Sequence, residues 1–382
     1  MAQVAGSNKN NSQVHSHDAR TPAAGCLFVF SRSDQARIFA CRQGAKFVYG
    51  LEQGRMSAAF LATPITRIGL IGECMVELRS QMDGQLGQAF GGDTLNAAVY
   101  LRRLLGGDGV QVDYLTAVGD DSLSQAMRAC WREEGVGDER VRVLPGRLPG
   151  LYLIQTDADG ERRFLYWRGE AAARECFDGA EAQPLLASLA EYQVLYLSGI
   201  SLAVLTDTGR ERLLEALRQA RAAGTRIVFD NNYRPRLWPS VQAARTAYHR
   251  LLQLTDLALV TWEDDAALFG FADEAALFAQ YAEWGVAEVA LKRGARSCLL
   301  QNRQGRQEVA GEAVARVVDT TAAGDSFSAA YLACRLQEGA PAVAASWGHR
   351  LAATVIQHPG ALISRAAMPA MPPLFLSLTA QA

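Results

Sequence analysis

The chain has 382 residues, 49% of them apolar and 20% charged, which is a globular composition with enough apolar surface for a large core. A formal net charge of −2 gives bulk electrostatics no reason to favour nucleic acid or an anionic membrane as partner. The seven cysteines show no CxxC spacing, so neither a zinc site nor a disulfide framework is indicated, no apolar run spans a bilayer, and reduced thiols in the cytoplasm follow.

Residues 1–66 read as a leader, expected to be disordered, with Met56 as a candidate start close to the first clear strand. Regular structure begins at Arg67-Ile68-Gly69-Leu70-Ile71-Gly72, an apolar run suited to a buried parallel strand. A helix over Thr94–Leu105, a strand over Val112–Val118 and a helix over Ser122–Glu134 continue the βαβ alternation. Two strand-like runs, Leu151–Thr156 and Arg162–Trp167, interrupt it around the turn residues Asp157-Ala158-Asp159-Gly160. With the polar stretch near Arg79–Phe90 they predict a small β lid, from about 76–91 and 147–170.

The alternation resumes at Val194–Gly199, with strands at Thr225–Phe229, Leu257–Thr261 and Glu288–Lys292, and helices at Ala323–Gln337 and Ala342–Gln357. After Pro359 the chain is Pro-rich and is expected to be loose, with a tail at 368–382. The architecture that follows is α/β: one doubly wound, mostly parallel sheet over 67–367 with a β-sheet lid, and ligands at the carboxyl ends of the strands.

One segment carries chemistry on its face. Asp319-Thr320-Thr321-Ala322-Ala323-Gly324-Asp325 leads small residues straight into a helix. Such residues let a phosphate reach the backbone N–H groups of Ala322, Ala323 and Gly324, where the helix dipole adds to an anion hole. Asp325, in the first turn, has two open roles: base for an attacking hydroxyl, or N-terminal cap. As a base it is expected to stay ionised beside the positive helix end. Arg168 and Arg234 suit a carboxylate by their planar fork, and each also reads as a solvated surface residue. Tyr152 and Tyr166 also read as packed strand aromatics.

The segment ending in Asp325 resembles the C-terminal signature of ribokinase-like (phosphofructokinase-B type) carbohydrate kinases, and Gly91-Gly92-Asp93-Thr94-Leu95-Asn96 resembles their N-terminal sugar-binding glycine pair. The runs Ile71-Gly72-Glu73-Cys74-Met75, Leu148–Tyr152, Leu197–Ser201 and Asp230–Trp238 resemble the 2-keto-3-deoxygluconate kinase branch. The resemblance implies ATP-dependent phosphorylation of 2-keto-3-deoxy-D-gluconate at the terminal hydroxyl, with Asp325 as base and Mg²⁺ on the phosphates. It implies sugar contacts from Gly92, Asp93, Thr94, Leu95, Asn96, Tyr152, Tyr166, Arg168 and Arg234. For ATP it implies Asn232, Arg234, Lys292, Arg293, Gly294 and Ala295 beside the anion hole. It further implies lids paired between subunits of a homo-oligomer. The family's Asn-x-x-Glu motif is replaced by Thr261-Trp262-Glu263-Asp264, which leaves Asp264 as a candidate for holding the metal through water. Gly294–Ser297 lacks the second glycine of the Gly-x-x-Gly loop. Gln357 is placed near the substrate by position. Two alternatives stay open: a kinase of another ketose or deoxy sugar acid, and a non-catalytic sugar sensor on the same fold. A dinucleotide fingerprint and a P-loop are both absent from the sequence.

Overall fold

The computed structural model describes residues 65–80, 85–107, 109–156 and 162–374, plus the backbone of three strands nearer the start. Those strands, β1 (Cys26–Val29), β2 (Ala36–Gln43) and β3 (Lys46–Gln53), pair antiparallel in a compact unit of their own. Part of the expected leader is therefore sheet, and the rest of it lies outside the described residues. Its apolar run Ile38-Phe39-Ala40-Cys41 has no period of two, so alternation gave no signal there.

The larger unit starts with β4 (Arg67–Ile71). The chain then leaves for the lid strands β5 (Met75–Ser80) and β6 (Leu86–Gly91) and returns as α1 (Asp93–Leu105) and β7 (Gln111–Leu115). Short strands β8 (Ala117–Val118) and β9 (Arg142–Val143) flank α2 (Ser122–Glu133), whose cap is Asp121, accepting the Leu123 and Ser124 amides at 2.8 and 3.1 Å. The second lid hairpin is β10 (Gly150–Thr156) and β11 (Arg162–Trp167), and its turn, Asp157–Gly160, lies outside the described residues. α3 (Gln183–Ser188), β12 (Val194–Ser198), α4 (Gly199–Val204), α5 (Asp207–Ala222) and β13 (Arg226–Asp230) follow. Next come α6 (Val241–Leu252), β14 (Leu257–Thr261), α7 (Trp262–Phe269), α8 (Glu274–Glu283) and β15 (Glu288–Lys292). The antiparallel edge strands β16 (Cys298–Asn302) and β17 (Gly305–Val309) precede α9 (Ala323–Leu336) and α10 (Pro341–Val355).

The main sheet has eight strands in the order β17-β16-β15-β14-β13-β12-β4-β7, parallel from β15 to β7. Its middle strands are apolar at their centres because both faces are covered. Along β12, Leu195 and Leu197 join a core cluster with α5 and α6, while Val194 and Tyr196 join one with α1 and α9. The fold is thus three-layered, with β4 at the point where the connections diverge to the two sides, the usual place for a ligand. A four-stranded sheet, β11-β10-β5-β6, makes the expected lid. A buried ion pair fixes α9 against the sheet: Arg335 Nε and Nη2 donate to the two Glu288 oxygens, each at 2.8 Å. The stretch expected to be loose after Pro359 is packed as far as residue 374. Tyr100 donates to the Ala361 carbonyl (2.7 Å), Ile363 is buried, and the Trp347 indole donates to the Pro372 carbonyl (2.8 Å). Proline there blocks regular structure without preventing burial.

Candidate active site

Two helix N-termini meet at the carboxyl end of the sheet. Asn96 in the first turn of α1 donates Nδ2 to Asp325 Oδ2 in the first turn of α9, at 2.8 Å. Beside them Asp93 accepts from its neighbour's amide, Thr94 N–H, at 2.8 Å and from Asn232 Nδ2 at 2.6 Å. Asn232 has φ +24°, an uncommon backbone for a residue with a side chain, and Asn231 braces it. The Asn231 Oδ1 accepts the Asn232 amide (2.9 Å) and the Thr261 amide (3.0 Å), tying the ends of β13 and β14 together.

Gly92 is required by packing. A Cβ there would lie 2.2 Å from the Glu73 carbonyl oxygen, where the chain enters the lid. In the same turn of α1, Thr94 faces inward to Tyr114 (2.9 Å between hydroxyls) and the Leu95 side chain sits in the core, so each can offer a sugar its backbone only. The helical turn points them at the sheet while Asp93 and Asn96 point at the cleft.

The Asp325 carboxyl is not held in the ordinary carboxylate range that the helix end alone suggests. Burial pushes its carboxyl up to about 7, the Asp93 carboxylate adds to this, and the Asn96 hydrogen bond opposes it. Desolvation and a like charge outweigh the dipole of one helix end here. Ala322 is left-handed (φ 60°), and the Ala323 amide already donates to the Thr320 carbonyl at 3.2 Å. Gly324 and Asp325 supply the first-turn amides with no acceptor inside the helix. A Cβ on Gly324 would meet only Lys292 Nζ, at 3.7 Å, so the protein leaves that approach open. Asp319 anchors the loop by accepting the Thr321 amide (2.9 Å) and the Gly360 amide (3.0 Å).

Under this loop lies a polar network that the sequence reading did not single out. Lys292 Nζ donates to Asp230 Oδ2 (2.8 Å) and Ser328 Oγ (3.1 Å), and Ser328 donates to the same Asp230 oxygen (2.7 Å). Lys292 is buried and spent on this pair, which removes its side chain from the expected ATP contacts. Arg293 is likewise held by Glu274 (3.0 Å) and Glu308 (2.5 Å). Gly294, at φ +63°, and Ala295 lie in the exposed turn into β16, where these two can offer a nucleotide their backbone.

In the lid, strand register puts Glu77, Tyr152 and Tyr166 on one face. Tyr152 donates to Glu77 and its ring lies 5.8 Å from that of Tyr166, which is exposed. Arg168 is paired with Glu73, so the solvated-surface reading does not hold for it. Among the described residues neither Glu73 Oε1 nor Arg168 Nε, both buried, has a hydrogen-bond partner. Neither Glu73 nor Glu77 was singled out from sequence. Two glutamates four residues apart around the apolar run Cys74-Met75-Val76 were the available signal. Across the cleft Arg234 is half exposed, donates to the Tyr233 carbonyl (2.9 Å) and lies 3.6 Å from Asp264. Asp264 also accepts the Tyr233 amide at 3.2 Å. Asp264 thus has one oxygen on a backbone amide and a guanidinium alongside. Among the described residues no cluster of three metal-binding side chains occurs. Gln357 turns back to the Ala353 carbonyl (2.9 Å), and His358 to the Thr354 carbonyl (3.0 Å).

A carboxylate at a helix N-terminus, an open anion approach and an overhanging sheet define a site that transfers a phosphoryl group to a hydroxyl under a lid. Comparison with protein families matches residues 66–367 to the pfkB family carbohydrate kinases. The chain belongs to that family. It is 48% identical over 307 residues to a 2-dehydro-3-deoxygluconokinase of Dickeya dadantii (strain 3937), covering 79% of this chain and 98% of that one. It is 46% identical over 314 residues to the Escherichia coli (strain K12) protein of the same name, covering 80% and 99%. The fold is similar to that of a putative ribokinase II from E. coli in complex with ATP and Mg²⁺. The TM-score is 0.67 at 24% identity, over 78% of this chain and 94% of that one.

Proposed function

We propose that this chain phosphorylates 2-dehydro-3-deoxygluconate (2-keto-3-deoxygluconate) at its terminal hydroxyl, with ATP as donor. The observation that carries the reading is identity of 46–48% with two 2-dehydro-3-deoxygluconokinases over 98–99% of their length. In the proposed reaction Asp325 takes the proton as the hydroxyl oxygen bonds to the γ-phosphorus. The bond to the β-bridging oxygen breaks, and ADP leaves with the 6-phosphorylated acid as co-product. The Gly324 and Asp325 amides meet the developing charge. Tyr166, Arg168 and Arg234 orient the acid, while Asn232, Arg234 and the backbone of Gly294 and Ala295 line the nucleotide side. Magnesium would arrive on the nucleotide phosphates, which usually carry it with several waters.

The exposed lid edge, with Phe164, Leu165, Tyr166 and Trp167 all open to solvent, supports pairing of lids between two copies. A cytoplasmic location is part of the same reading. Among the described residues no helix is long and apolar enough to cross a membrane.

The test is an ADP-release assay across sugars, sugar acids and the neutral alcohol analogue of the acid. Wild type is expected to prefer the acid. Arg168→Ala is expected to lower kcat/KM for the acid about ten- to a hundredfold, with little change in KM for ATP. Arg168→Lys is expected to be harmful too, since a point charge does not replace a planar fork. Equal discrimination by wild type and Arg168→Ala would remove Arg168 as the carboxylate partner. A wild-type preference for a neutral ketose would overturn the substrate assignment.

A further inference from the structure

We propose that Asn96 is the positioning residue of the base: its amide holds Asp325 Oδ2 and leaves Oδ1 as the oxygen that takes the substrate proton. The inference rests on Asp325 being that base, and it gives Asn96 a role other than a sugar contact. Asn96 is 4% exposed, and its Nδ2 makes the 2.8 Å bond to Asp325 across the α1–α9 interface. Its Oδ1 is buried and has no hydrogen-bond partner among the described residues. A half-used amide is a poor choice for packing alone, because a buried acceptor without a hydrogen bond is costly and an apolar side chain of similar shape avoids that cost. The bond to Asp325 is what the amide supplies. Its direction is fixed from both ends. The Asn96 backbone N–H donates to the Gly92 carbonyl at 2.8 Å, in the first turn of α1, and Asp325 lies in the first turn of α9.

The surroundings give this bond a second consequence. Asp325 is faced by Asp93 from α1 and Asp230 from β13, by the Lys292 ammonium from β15, and by the phenols of Tyr100 from α1 and Tyr196 from β12. The two carboxylates and burial favour the protonated form; Lys292 and the Asn96 amide favour the ionised form. Lys292 is shared with Asp230, whereas the amide bonds to Asp325 itself. Asn96 therefore both aims the carboxylate and keeps a larger share of it competent near neutral pH.

The test is the pH profile of kcat and kcat/KM for wild type, Asn96→Ala and the nearly isosteric Asn96→Asp, each on the sugar that wild type phosphorylates best. Asn96→Ala is expected to lower kcat about ten- to a hundredfold near pH 7, with KM for the sugar changed less than about threefold. Its acidic limb should move up by about one pH unit, the equivalent of one lost hydrogen bond to a carboxylate. Asn96→Asp should move the limb further, since a new carboxyl must share a proton with Asp325. In an Asp325→Asn background, Asn96→Ala should cost nothing more in kcat. A raised KM with kcat and limb unmoved would show that Asn96 binds sugar. Equal loss at every pH, or additive loss in the Asp325→Asn background, would reduce it to packing; either result overturns the proposal. Because the best substrate is used whatever it is, a wrong sugar assignment shows separately in the substrate panel.

Discussion

Replacing Lys292 by methionine separates a buried structural cation from a nucleotide ligand. Methionine keeps the length and fills the space, so the change removes the charge with little cavity. The Lys292 and Asp230 side chains are 9% and 7% exposed and their charged atoms are 2.8 Å apart. Deleting one partner of such a pair costs about 3–5 kcal/mol, because the other charge stays buried. Asp230 retains the Ser328 hydroxyl at 2.7 Å and the Tyr196 hydroxyl at 3.3 Å. Those neutral donors place the expectation near the lower limit, about 3 kcal/mol, or a fall in Tm of roughly 4–6 °C for a domain of this size. Calorimetry and denaturant titration at pH 7.5 measure it, with KM for ATP determined alongside. Adding Asp230→Asn to Lys292→Met should recover most of the loss, since the uncompensated charge is gone. A variant within about 2 °C of wild type whose KM for ATP rises tenfold would refute the reasoning and return Lys292 to the nucleotide.

Asp325→Asn should lower kcat about 10²–10⁴-fold with KM for ATP nearly unchanged. It should also stabilise the empty protein above pH 7. An acid raised from 3.8 to about 7 contributes stability that is full below pH 4 and lost as pH rises through 7, so the gain in Tm should vanish near pH 4. Gly92→Ala and Gly324→Ala should separate fold from function. The first drives a Cβ to 2.2 Å from a backbone oxygen and should lower Tm and activity together. The second meets only Lys292 Nζ at 3.7 Å, so Tm should hold while kcat/KM for ATP falls. A chain starting at Met56 should keep its kcat, since the family match begins at residue 66; loss of soluble protein would count against it.

The parallel strands were legible because burial on both faces writes them as unbroken apolar runs. Leu257–Thr261 and Glu288–Lys292 have the expected limits to the residue. The lid hairpin was legible because it breaks the βαβ rhythm. The helices α7 and α8 and the edge strand β17 (Gly305-Arg306-Gln307-Glu308-Val309) were not, being short or polar, and their structure comes from pairing and packing. In the site, the small-residue entry to α9 announced Asp325 directly. What stayed hidden was direction. Thr94 and Asn96 are two residues apart, yet one turns to Tyr114 and the other to Asp325, and only the position of α1 on the sheet decides which. Lys292 ends a strand at the cleft, where sequence position suggests a ligand. Its partner Asp230 lies on the second strand over, a relation visible only once β13, β14 and β15 are side by side.

The charges near the cleft bear on how an acid would be selected. Neither arginine assigned to the substrate stands alone: Arg168 is paired with the buried Glu73, and Arg234 lies 3.6 Å from Asp264. Asp93, Asp230 and Asp325 share the neighbourhood with Lys292, itself committed to Asp230. A site so balanced is no general attractor of anions, and long-range steering toward it is weak. Discrimination between an acid and its neutral analogue then has to arise at contact, where Glu73 fixes the plane of the Arg168 guanidinium by taking Nη2. The remaining donors of a guanidinium held in that way match the two oxygens of a planar carboxylate and match a hydroxyl poorly. On the proposed reading, acid selectivity should therefore depend little on ionic strength, because it comes from a short-range fit between enclosed groups that salt scarcely screens. A preference for the acid that collapsed between 0.05 and 0.5 M salt would instead mean that net charge was doing the selecting.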